Sequence, residues 1–180
     1  MERSHHSDPG TVELVSGSEV DIPSLEPLWV AVHRVHTASM PELAPYVSDE
    51  ETWRERRALY VELFRKPETF LFLARERGEL VGYALGHILG PGESWWSDTW
   101  RTGKRVGELE SISVLPEHRG AGIGSALLDA VDAEFVRLDV DDQVIGVLPG
   151  NVDAIRLYER RGFRPTWLYL SRFAGRDSTR

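Results

Sequence analysis

Between Glu108 and Leu128 the chain reads Glu-Leu-Glu-Ser-Ile-Ser-Val-Leu-Pro-Glu-His-Arg-Gly-Ala-Gly-Ile-Gly-Ser-Ala-Leu-Leu, and this stretch restricts the fold more than any other. Leu109 to Leu115 is β-branched and apolar enough for a strand, and Pro116 ends it by removing a ladder donor. Three glycines follow at alternate positions, Gly120, Gly122 and Gly124. From Ile123 the apolar residues change to helical spacing, with Ile123, Leu127, Ala130, Val131, Phe135 and Leu138 on one face. A glycine loop entering a helix turns backbone N–H groups toward an anion, aided by the positive end of the helix dipole. Arg119 adds a cation suited to bidentate phosphate binding. A tight strand-to-helix turn without a ligand is the plainer reading, and three glycines within five residues weigh against it.

A dinucleotide fingerprint needs G-x-G-x-x-G, and counted from Gly120 its third glycine falls on Ser125. Asp139, Asp141 and Asp142 stand near the distance at which a ribose-binding acid is found, which keeps a dinucleotide in play, but they sit in a polar connector. A P-loop needs Gly-Lys-Ser/Thr, and no lysine follows these glycines. The run Arg119-Gly-Ala-Gly-Ile-Gly124 instead resembles the R/Q-x-x-G-x-G/A motif of the GNAT superfamily of acetyl-CoA-dependent N-acetyltransferases. The resemblance implies that Arg119, Gly120, Ala121, Gly122, Ile123, Gly124 and Ser125 wrap the CoA pyrophosphate.

A second stretch, Asn151-Val-Asp-Ala-Ile-Arg-Leu-Tyr-Glu-Arg-Arg-Gly-Phe163, is similar to the same family's N-x-x-A-x-x-x-Y-x-x-x-G-F signature and follows at the usual distance. Its physical content reads independently. Asn151 is a good N-cap, the helix extends to Arg160 or Arg161, and Gly162 supplies a left-handed C-cap. Asn151 and Tyr158 are two turns apart and share a face. The resemblance rests on residues 108–163 and is weaker upstream.

The rest of the chain fits one domain over residues 11–174, between a polar tail at 1–10 and another at 175–180. One hundred and eighty residues suffice for a sizeable core. A formal charge of −8 argues against a nucleic-acid partner. The absence of cysteine removes disulfides, thiolate metal sites and a cysteine nucleophile, and no metal is expected. No apolar run approaches a membrane span and no signal peptide is apparent, so a cytoplasmic protein is the default. Thr11 to Val15 is a weak first strand. Ile22, Leu25, Leu28, Val32 and Val35 recur at helical spacing behind Asp21 as cap, and a second helix is predicted from Asp49 to Arg65. Strands at Thr69–Arg75 and Leu80–Leu89 flank a hairpin turn at Arg77-Gly78-Glu79, with Gly82 and Gly86 pointing to close backbone approach or bulging. The tryptophan-bearing connector at 91–107 reads equally as loop packing, an acceptor flap or a homodimer contact. A short buried strand at Gln143–Leu148 precedes the Asn151 helix, and Trp167 to Phe173 alternates as a final strand.

By resemblance, the fold is α/β: a mixed, mostly antiparallel sheet with a splayed central parallel strand pair and helices on both faces. Pantetheine enters the splay, with backbone near Ile112, Ser113 and Val114 bonding the pantetheine and acetyl carbonyl. Asn151 and Ala154 flank the arm, and Tyr158 donates to the CoA sulfur. Trp29, His33, His36, Tyr46, Trp53, Trp95 and Trp96 are candidates for the acceptor pocket. The base stays open. Glu108 and Glu110 share a strand face with Ile112 and Val114 by simple alternation, and water is the alternative. Some relatives carry a glutamate five residues before the asparagine, where this chain has Gly146. The leading expectation is transfer of acetyl from acetyl-CoA to a primary amine of a small molecule or peptide. A non-catalytic acyl-CoA sensor and a nucleotide-dependent oxidoreductase are the rivals.

Overall fold

The computed structural model describes residues 11–90, 92–94, 96 and 98–173. The two tails and Trp95 named above lie outside that set. Nine elements matter for the site. They are β1 (Val12–Gly17), α1 (Glu26–Ser39), α2 (Asp49–Phe64), β2 (Phe70–Glu76), β3 (Glu79–Ile88), β4 (Val106–Val114), α3 (Ile123–Arg137), β5 (Asp142–Ile145) and α4 (Val152–Arg160). The five strands form one sheet in the order β1-β2-β3-β4-β5, antiparallel except for the parallel β4–β5 pair joined through α3.

The hairpin follows its turn chemistry. Arg77 and Gly78 both take positive φ, +53° and +85°, as a two-residue type I′ connection demands. Alternation along β2 sends Leu71 and Leu73 to one face and Phe70 and Ala74 to the other. The first face packs on α1 and α2 through Leu25, Leu28, Trp29 and Tyr60. The second packs on α3 through Ile123, Leu127, Val131 and Phe135, the helical stripe read from the sequence. Strand β3 is covered on both sides, which is why Val81 to His87 is almost uniformly apolar.

Gly107 is where β4 meets α3 most closely. A Cβ built there falls 2.3 Å from the Phe135 ring, which is fully buried and has nowhere to go. Gly107→Ala is therefore expected to destabilise the fold by about 1–3 kcal/mol through overpacking, measured as a lower urea midpoint at unchanged slope.

Four sequence expectations change. The first helix is a 3-10 turn (Glu19–Leu25) running into α1, and Asp21 is not its cap but the third residue of a capping box on Ser18, whose backbone N–H donates to the Asp21 carboxylate at 2.9 Å. Strand β4 begins at Val106, three residues early, because Gly107 and Glu108 already pair with β3 and β5. Strand β5 stops at Ile145 and is half-exposed rather than buried through Leu148, since β4 turns away from it there. Residues 167–173 form no strand, and Leu168 and Leu170 are exposed. No described strand pairs with the alternating run, and without a ladder partner its alternation makes no strand.

The largest correction is to the parity of β4. Leu85 pairs with Ser111 and Gly86 with Leu109, so Glu110 is an extra residue, a β-bulge. Below it, Glu108 faces α1 and α2 and Leu109 faces α3. Above it, Ile112 and Val114 pack on the α3 side while Ser111 and Ser113 face α1 and α2. Glu108 and Glu110 thus share a face with Ser111 and Ser113, not with Ile112 and Val114.

Candidate active site

The β4–β5 ladder covers only Val106–Leu109 against Asp142–Ile145. Beyond it the strands part, and a cavity of about 240 Å³ opens between Ser111 and Ile112 on β4 and Gly146 and Val147 after β5. Asn151 and Tyr158 of α4 close one side, and Trp29, His36, Arg56, Glu108 and Glu110 close the other. The gap passes through the sheet, with the phenol near the α3 face and the carboxylates on the α1–α2 face.

Helix α4 is placed by its ends. Asn151 Oδ1 accepts from the Ala154 backbone N–H at 3.4 Å, and Gly162 takes φ +94° to reverse the chain. Tyr158 is 8% exposed, stands edge-on to Phe163, and has its phenol pushed up to about 12 by burial. It is therefore a protonated donor at any ordinary pH.

At the opposite end, the Glu110 carboxylate is ion-paired with Arg56, whose guanidinium lies 3.8 Å over the Trp29 ring. Trp29 in turn donates from Nε1 to Thr52 Oγ1 at 3.1 Å. Burial raises the Glu110 carboxyl above the usual carboxylate range and Glu108 adds to it, while the Arg56 guanidinium and His87 oppose the rise without cancelling it. His36 is pushed down by burial and by Arg56, which keeps it neutral. His87, nearly fully buried, directs Nε2 at both carboxylates, 3.4 Å from Glu108 and 3.9 Å from Glu110. Behind Ser111 a buried hydroxyl chain runs from its Oγ to Tyr60 (2.6 Å) and on to Tyr83 (2.8 Å).

The glycine loop lies at the α3 N-terminus. Gly120 and Gly122 have φ +80° and +84°, and a Cβ on either would meet no protein atom within 4 Å. The loop keeps open space on its outer side. Arg119 donates from Nε to the Val114 carbonyl at 3.0 Å, which anchors its guanidinium at the loop entrance.

Several sequence candidates are held elsewhere. Trp53 is a core residue beneath α1 and α2. His33 bonds Asp49 through Nδ1 at 3.0 Å, tying α1 to α2, and Tyr46 donates to the Met40 carbonyl at 2.6 Å. Trp96 is buried and stacks on Trp100, 6.0 Å between centroids, and Trp100 packs against Trp167. None of these four lines the cavity. Asp141 and Asp142 accept from the backbone N–H groups of Lys104 and Gly103, each at 2.6 Å, bracing the connector onto β5. That bond accounts for the two acids without a ribose.

Sequence reading missed Arg56 and His87. Arg56 sits in the charged run Arg54-Glu55-Arg56-Arg57, which looks like a solvated helix face. His87 is legible only once the hairpin register is known, because it lies directly across from Glu108.

A glycine loop at a helix start, a splayed parallel pair and an asparagine–tyrosine helix beside the gap define an acyl-CoA-dependent acyltransferase architecture. Residues 29–163 match the family model described as the acetyltransferase (GNAT) family, and the chain belongs to that family. An N-alpha-acetyltransferase of Sulfurisphaera tokodaii is 29% identical over 135 residues, 73% of this chain and 71% of that protein. A mycothiol acetyltransferase of Thermobispora bispora is 29% identical over 138 residues, 77% of this chain but 42% of its own length. An aminoglycoside N-acetyltransferase solved in complex with CoA superposes with a TM-score of 0.63 at 18% identity, covering 93% of this chain and 97% of that one. Among the described residues no helix is long and apolar enough to cross a membrane.

Proposed function

We propose that this protein transfers the acetyl group of acetyl-CoA to a primary amine of a small molecule or peptide, by direct attack within a ternary complex. The observation that carries this reading is the gap between β4 and β5, with a protonated phenol on one face of the sheet and two carboxylates on the other. Pantetheine laid in the gap would take as its partner the edge of β4 from Ile112 to Val114 that faces away from β3 and that β5 no longer covers, with Asn151 and Ala154 alongside. Its thioester would then lie between the two kinds of proton-handling group. The loop amides of residues 120–125, with Arg119, would receive the pyrophosphate.

Acyl transfer of this kind needs no covalent enzyme intermediate. Glu110, or Glu108 beside it, takes a proton from the ammonium, and the freed lone pair attacks the acetyl carbonyl. Backbone N–H groups near Ile112 to Val114 stabilise the oxyanion, worth up to a few kcal/mol when preorganised. As the C–S bond breaks, the Tyr158 hydroxyl donates to the departing sulfur, and the second proton, lost by the attacking nitrogen as it becomes the amide, restores the phenol. Trp29 and His36 form the acceptor end, and the two acids favour a cationic acceptor there. Gly146 leaves no third carboxylate at the mouth.

The relatives' names support an amine acceptor and span aminoglycoside, mycothiol and protein N-terminal classes. A panel of amines from each class, followed by thiol release from acetyl-CoA, tests the reading. Release with none of them would favour the non-catalytic sensor. Gly122→Val forces a β-branched residue to φ +84° and fills the loop's open side. Calorimetry should show CoA binding lost, and a folded variant with unchanged affinity would remove the cofactor assignment.

A further inference from the structure

We infer that His87, Glu108 and Glu110 form a binding site for a divalent transition metal, zinc fitting best, at the acceptor end of the cavity. The three side chains reach one point by backbone design. His87 and Glu108 are a directly opposed pair on β3 and β4, and the bulge brings Glu110 to the same face. One ligand-type atom from each lies within 4.8 Å of the other two.

The histidine is fixed as a ligand would be. Its Nδ1 lies 3.3 Å from the Ile88 carbonyl, which can only accept, so Nδ1 carries the hydrogen. In the neutral ring Nε2 then presents a lone pair, and it presents it to two carboxylates. In that form three electron-rich atoms face one another, an arrangement that a cation between them would satisfy. A histidine whose other nitrogen is held by a backbone carbonyl is the usual outer-sphere arrangement of a metal site.

Geometry and charge both suit zinc. Ligand atoms on a tetrahedral ion with bonds of about 2.0–2.2 Å stand about 3.4 Å apart. Two of the separations are 3.4 and 3.9 Å. The carboxylate–carboxylate separation is within 4.8 Å, so closing it to the tetrahedral spacing needs at most about 1.4 Å of movement, which the half-exposed Glu108 side chain can make. Arg56 occupies Oε1 of Glu110 and leaves Oε2 for the ion. Two carboxylates and one guanidinium leave a net charge of about −1, which a dication overcompensates by one. The other charged groups nearby are His36 on α1, held neutral, and Glu93, which is paired with Lys66 at 2.5 Å. One imidazole with two carboxylates matches zinc, whereas calcium would need six or more oxygens. Three protein ligands leave a fourth position turned to the cavity.

The consequence rests on the reading proposed above. An ion there would occupy the lone pairs of both candidate bases, so zinc would halt acetyl transfer and a chelator would restore it. The test is calorimetric titration of the full chain with zinc chloride alone, in a His5→Ala/His6→Ala background so that the tail adds no histidines. One saturable equivalent is expected, weakened at least about tenfold in both His87→Gln and Glu108→Gln. Cobalt(II) should give the visible absorption of a four-coordinate ion, lost in the same variants. Absence of saturable binding, or equal affinity in Glu108→Gln, whose half-exposed position spares the fold, overturns the site. Zinc binding with undiminished acetyl transfer keeps the site but overturns the inhibition, and shows that these carboxylates are not the base.

Discussion

Tyr158→Phe is expected to lower turnover about 10²–10⁴-fold while acetyl-CoA affinity and melting temperature stay close to those of the parent. The separation follows from what the ring and the hydroxyl each do. The ring packs against Phe163 and contributes to the core beside α3, and phenylalanine keeps both contacts. The hydroxyl is raised by burial alone, with no hydrogen bond to a described residue contributing to its shift, so its removal leaves no protein partner unsatisfied. A phenol near 12 facing a thiolate with an ordinary value of about 8.5 would make full proton transfer uphill. Desolvation of the departing thiolate in the same gap would raise the thiol in turn and narrow that difference. Turnover and melting temperature measured on one preparation check the result. A fall in stability with a matching loss of CoA binding would mark Tyr158 as a core residue only. Unchanged turnover would show that the thiolate leaves without a protein acid.

The second large effect belongs to the carboxylate pair. A general base must be ionised, so kcat/KM rises as pH climbs through its value and is lost below it. Burial holds Glu110 above the usual carboxylate range. The acidic limb of the profile should therefore lie above that range as well. Glu110→Gln is expected to cost about 10²–10⁴-fold on the stretch just above that limb, where the parent's carboxylate is ionised but little free amine is present, and to abolish the limb, so that the deficit shrinks as pH falls further. Arg56→Gln removes the cation that opposes the rise, leaving burial and Glu108 unopposed by it, so its limb should move to higher pH still. The profiles of Glu110→Gln, Glu108→Gln and the double variant decide between the two acids. If all three match the parent, water is the base.

The glycine-loop and α4 side of the cavity was largely legible because its conformation depends on local chemistry. Gly120, Gly122 and Gly162 announce positive φ, Asn151 announces a cap, and the stripe from Ile123 to Phe135 announces a buried helix face. The carboxylate side depends on relations between distant elements. Glu-Ser-Ile-Ser-Val reads as plain alternation, and only pairing with β3 shows that Glu110 is one residue too many. His87 looks like a polar interruption of a buried strand until its partner across the ladder is known. Arg56 looks solvated until Trp29, 27 positions earlier, is folded beneath it. The alternating run at 167–173 misleads for the same reason, since a strand is made by its neighbour and no described strand pairs with it.

The bulge at Glu110 also divides β4 into two stretches with different obligations. Across the bulge itself, three of the four side chains from Glu108 to Ser111 crowd onto one face, a density that regular pleating cannot reach. Downstream, the strand resumes strict alternation, and its unpaired edge is what the thioester arm would use. Substitutions at 108 and 110 can therefore alter the carboxylate end of the cavity without shifting the backbone of Ile112 to Val114. One inserted residue makes the two ends of a single strand separately adjustable.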